Sequence, residues 1–88
     1  MNLKKITEGR TARRRHRHLM EAAHHIVRRH ALDDSTDKAS GAEVAALVFG
    51  WHGLRIADDE ALDYLNAVLA DRGFPLLPAP ETTPETKA

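Results

Sequence analysis

The sequence predicts an all-α fold: a small three-helix domain with a long basic N-terminal helix, a short buried middle helix, an acidic third helix and a disordered C-terminal tail. Three observations predict it. A helical-period apolar repeat runs from Thr11 to Leu32, a capping box opens at Ser40, and Gly73-Phe74-Pro75 stands where a helix must stop. Eighty-eight residues suffice for one domain and one modest core. Phe49, Trp51, Tyr64 and Phe74 are the only aromatics, so that core must be built from Leu, Val, Ile and Ala.

Residues 1–10 contain Gly9 and show no periodicity, which reads as a flexible basic lead-in to a single helical domain over 11–77. In the first helix Ala12, His16, Leu19, Ala23, Ile26, Val27 and His30 share one side. Arg13, Arg14, Arg17, His18, His24, His25 and Arg28 share the other. The run Asp33-Asp34-Ser35-Thr36-Asp37 then reads as a solvated link.

Ser40 and Glu43 form the capping box of the second helix, in which each side chain reaches the other's backbone N–H. The following Val44-Ala45-Ala46-Leu47-Val48-Phe49 is apolar almost all round, which predicts a short helix buried between the other two. Gly50 and Gly53 are expected to close it, with Trp51 and His52 in the turn. Trp51 is expected to plug the core. Exposed beside Leu54 and Ile56, it would instead anchor a protein partner.

The third helix is expected to start at Asp58 as N-cap, with Asp59 and Glu60 suiting its positive end. Ala61, Leu62, Tyr64, Leu65, Val68 and Leu69 form its buried stripe, while Asp59, Glu60, Asp63, Asn66 and Asp71 face out. Gly73 suits the left-handed residue after the last turn, with Phe74 folding back on Leu69. Residues 78–88 hold three prolines and little to bury, which predicts a disordered tail.

The net charge of zero hides a strong asymmetry. Residues 1–32 carry nine Lys or Arg against two acids, and residues 33–88 carry four against eleven. Such a split points to a polyanion partner, or to the two halves pairing with each other. The absence of cysteine excludes disulfides, thiol catalysis and thiolate zinc sites, and favours a reducing, cytoplasmic setting. No apolar run is long enough to span a bilayer, and no apolar segment follows the charged start as a signal peptide requires.

Arg13-Arg14-Arg15-His16-Arg17-His18 is the sharpest local signal. Clustered guanidiniums repel one another unless an anion screens them, and each fork can grip phosphate oxygens. Over about ten residues this run resembles the arginine-rich motif of viral and phage RNA-binding peptides, and the resemblance implies insertion of the helix into a nucleic-acid groove. Arg13, Arg14, Arg17 and Arg28 are the expected phosphate clamps, with Lys4, Lys5 and Arg10 as a flexible arm. Glu21 interrupts that face, and no aromatic on it offers a stacking platform. A helix–turn–helix reading through Ala46, Gly50 and Ile56 fails, because Asp58, Asp59, Glu60 and Asp63 would repel phosphate from the recognition helix.

Other chemistry is not expected. Neither of the adjacent or skip-one histidine pairs, His16/His18 and His24/His25, has the one-turn spacing that puts two imidazoles on one ion, although Glu21 lies a turn from His18, His24 and His25. No metal site and no cofactor is predicted. Ser35 and Ser40 sit in a link and a cap, and no glycine-rich loop follows a strand, so the chain does not read as an enzyme and no small-molecule substrate is expected. The leading expectation is a regulator that binds RNA or DNA through helix one. The alternative is a protein-interaction module, such as a phage- or plasmid-type inhibitor or a homodimer, using Trp51 and an acidic face of Asp59, Glu60 and Asp63.

Overall fold

The computed structural model describes the backbone of residues 3–79 and the side chains of residues 10–79. Its elements are α1 (Leu3–Leu32), a 3-10 turn (Thr36–Lys38), α2 (Gly41–His52) and α3 (Asp58–Asp71), with no strand among the described residues. The domain is all-α with three helices, as the periodicity predicts. The side chains of Lys4 and Lys5, and residues 80–88 of the expected tail, lie outside the described residues.

α1 begins at Leu3 and not at Thr11, so the expected lead-in has helical backbone. Gly9 costs a helix interior about 1 kcal/mol, which the helix formers Leu3, Lys4, Lys5, Glu8 and Arg10 around it offset. Thirty residues at a helical rise make a rod about 45 Å long. It ends in a motif that the sequence did not flag. Asp34 takes the left-handed conformation at φ 56°, and Ser35 N–H donates to the His30 carbonyl at 2.8 Å. Asp34 N–H donates to the Ala31 carbonyl at 3.1 Å, so two orphan carbonyls are satisfied. Asp tolerates this backbone better than most residues because its short polar side chain can bond locally.

α2 opens on the predicted capping box: Ser40 Oγ accepts from Glu43 N–H at 3.3 Å, and Glu43 Oε1 accepts from Ser40 N–H at 3.0 Å. The helix continues through Gly50 to His52 and stops at Gly53, whose φ of 66° only glycine adopts without cost. Trp51 and His52 are therefore on its last turn, and not in a loop. Nor is α2 sandwiched. It buries only the edge formed by Gly41, Val44 and Val48, while α1 and α3 also pack directly on each other. Ala42, Ala46 and Phe49 face solvent. Gly41 sits so close to α3 that a Cβ there would meet the Asp58 carbonyl, and would stand 2.9 Å from Leu62 N.

α3 starts one residue after Ala57, so Asp58 is its first helical residue and not its cap. Its end follows the prediction: Gly73 has φ 80°, Phe74 N–H donates to the Leu69 carbonyl at 2.8 Å, and the Phe74 ring packs on the core. Asn66 departs from expectation. It is half-buried and brackets the backbone of one residue, donating Nδ2–H to the Leu77 carbonyl at 3.0 Å and accepting Leu77 N–H at 2.8 Å.

The core joins Leu19, Ala22, Ala23, Ile26 and Val27 of α1 to Val44 and Val48 of α2 and to Ala61, Leu62, Leu65, Val68 and Leu69 of α3. Each Leu, Ile or Val so buried stabilises the fold by roughly 1.5–3 kcal/mol relative to exposure. The buried core begins at Leu19; Arg15, His16 and His18 still touch the other helices, and the overhang of α1 lies ahead of Arg15, where Arg10 to Arg14 are all exposed.

Candidate nucleic-acid interface

The overhang carries the arginines. From Arg10 to Arg14 every side chain is exposed, on all sides of the rod, and this includes Ala12, which the periodicity placed on the buried stripe. Arg17 and Arg28 are exposed on the flank that faces away from the core. Arg10, Arg17 and Arg28 lie on one line, since seven, eleven and eighteen residues are close to whole numbers of turns. Among the described residues, no carboxylate lies within ion-pair distance of Arg10, Arg13, Arg14, Arg17 or Arg28. The predicted clamps thus share one rod, with their charges unneutralised there.

Arg15 is the exception. Its Nη1 and Nη2 donate to Glu60 Oε2 and Oε1 at 2.6 and 2.7 Å, a two-pronged ion pair between α1 and α3. The hydrogen bonds from Arg15 hold the Glu60 carboxyl below its ordinary value against an opposing desolvation, and Glu60 raises Arg15 in turn. A sequence signal for this existed. Arg15 stands one helical turn before Leu19, so it projects over the face that carries the core. One residue on, His16 Nδ1 meets the Tyr64 hydroxyl at 2.9 Å, so this expected core histidine is a surface link to α3.

His30, on the apolar side of α1, has both ring nitrogens satisfied. Nδ1 bonds Ser35 Oγ at 3.0 Å and Nε2 bonds Glu43 Oε1 at 2.9 Å, which ties the end of α1 to the cap of α2.

Trp51 does not plug the core. It is 48% exposed and meets the His25 ring edge-on at 5.3 Å, which brings an indole beside the basic helix. With Glu21, His24, Arg28 and His52 it lines a shallow groove. Because Trp51 comes from α2, no reading of α1 alone could place an aromatic there. On the acidic side Asp59 and Asp63 are exposed. Glu60, expected to be a free acid of that face, is committed to Arg15.

No helix among the described residues is long and apolar enough to cross a membrane. No protein family, curated protein or solved structure matches this chain.

Proposed function

We propose that the protein is a small non-enzymatic regulator of the cytoplasm that binds RNA or DNA through the overhanging arginine-rich part of α1. The observation that carries this reading is the exposure of Arg10, Arg13 and Arg14 on different sides of one helix, with no carboxylate among the described residues within ion-pair distance of them. A rod about 10–12 Å across fits a DNA major groove about 12 Å wide. Arg17 and Arg28 extend the phosphate contacts along the flank, and Trp51 beside His25 offers a flat surface for an unpaired base.

The test is binding of a labelled RNA hairpin and a labelled DNA duplex by fluorescence anisotropy across salt. Five phosphate contacts give a slope of about −4.5 in log affinity against log salt, or about a five-hundredfold loss between 50 and 200 mM. Affinity that does not move with salt, or no binding to either probe, excludes the reading.

A second reading has its own observation. Phe49 stands 47% exposed on α2, in line with the small side chains of Ala42 and Ala46. Such a face suits a partner helix, or a second copy whose basic flank meets Asp59 and Asp63. Sedimentation at low and high salt separates the two, because only a self-association would give a dimer mass without nucleic acid.

A further inference from the structure

We propose that His18, Glu21 and His52 form a binding site for one divalent transition-metal ion of the zinc class. His18 and Glu21 are one turn apart on α1, and His52 is the last residue of α2. One nitrogen of each imidazole and one Glu21 oxygen lie within 4.8 Å of one another. Ligands about 2.0–2.1 Å from a tetrahedral ion stand about 3.4 Å apart, so closing the site needs only side-chain rotations.

A second observation points the same way. His18 Nδ1 is shut off from solvent and has no hydrogen-bond partner, and Glu21 Oε1 at 3.6 Å is too far to serve. A buried ring nitrogen left without a partner, beside a carboxylate and a second imidazole, suits metal coordination better than packing. The His18 and His52 rings lie face to face, with centroids 3.5 Å apart and planes 19° apart. Rotation of the two rings out of this stack about their side-chain bonds is what would turn a nitrogen of each toward one ion.

The donor chemistry selects the metal. Two imidazoles and a carboxylate suit Zn²⁺, Co²⁺, Ni²⁺ or Cu²⁺, whereas Mg²⁺ and Ca²⁺ prefer all-oxygen sites. Three protein ligands leave a coordination position open to the groove lined by His24, Arg28 and Trp51. The site also gives Glu21 a role, since it is the one acid on the basic face of α1 among the described residues. If α1 binds nucleic acid, and this clause alone rests on that reading, a bound cation turns the acidic gap at Glu21 positive.

The test needs no nucleic acid. The full chain, free of any histidine tag, is titrated with Zn²⁺ by calorimetry and with Cu²⁺ by quenching of Trp51, whose indole centroid lies 6.3 Å from that of His52. One ion per chain is expected. His52→Gln and Glu21→Gln should each weaken binding at least about tenfold, while His16→Gln, at the Tyr64 side of the helix, leaves it unchanged. His52 and Glu21 are exposed, so these variants keep the fold, and circular dichroism verifies it. No saturation below about 1 mM, a threshold of negligible affinity, overturns the proposal. Equal losses in the control and ligand variants overturn it as well.

Discussion

The Arg15 guanidinium meets the Glu60 carboxylate fork to fork, 2.6 and 2.7 Å apart, and this is the ion pair that joins the basic helix to the acidic one. Forty-five residues separate the two in the chain. The pair takes one arginine of the basic cluster into the fold, while among the described residues Arg13, Arg14 and Arg17 have no carboxylate within ion-pair distance.

The pair is expected to couple by about 0.5–1 kcal/mol in a double-mutant cycle of Arg15→Ala and Glu60→Ala. A larger value is not expected, because the side chains are 33% and 37% exposed and water screens them. The pH dependence has a fixed sign. Glu60 has a lowered pKa in the fold, so its contribution is full above the unfolded carboxylate value of about 4.3 and is lost as pH falls through the lower folded value. Urea melts of wild type and Glu60→Gln should therefore differ at pH 7 and converge in stronger acid. A gap that persists below pH 2, far under the ordinary carboxylate range, would show that the pair is not its cause.

The same geometry sorts the arginines by their effect on nucleic-acid affinity. Arg17→Gln and Arg28→Gln should each reduce the salt slope by about 0.9, the loss of one phosphate contact. Arg15→Gln should leave the slope unchanged, because Glu60 already neutralises that charge. Equal losses at Arg15 and Arg17 in salt titrations would mean that the bound state breaks the ion pair.

Gly41 and Gly50 make opposite predictions within one helix. A Cβ at Gly41 meets Asp58 and Leu62 of α3, so Gly41→Ala should destabilise by about 1–3 kcal/mol as the helices are pushed apart. Gly50 has open space around it inside a helix, so Gly50→Ala should stabilise by about 0.5–1 kcal/mol. Thermal melts of the two variants, moving in opposite directions, check both.

Asn66→Ala should cost about 1–2 kcal/mol, since it leaves both polar groups of Leu77 to find water. Amide exchange at Leu77 should speed up in that variant ahead of any change in the core. Unchanged protection there would show that Asn66 is not what holds the segment.

What the sequence disclosed was local. The Ser40–Glu43 box and the Gly73-Phe74-Pro75 stop were legible because partner and signal lie within a few residues of each other. The apolar stripe of α1 was legible from Leu19 onward, where a core exists to enforce it, and failed at Ala12, which lies ahead of the core and is exposed. Trp51 and His52 were misplaced because glycine usually ends a helix, yet Gly50 is carried inside α2 until Gly53 supplies the positive φ. The candidate metal cluster was invisible for a similar reason. One-turn histidine spacing tests a single helix, whereas His18 and His52 come together only when α1 packs against α2.

The Asn66 clasp also sets how far the folded unit must at least reach. A version cut after Asp71 would keep all three helices, yet it would strand an amide that is built to hold a peptide six residues further on. Shortened forms for crystallography or display should therefore run through Leu77 at least, with any fusion joined beyond Pro78.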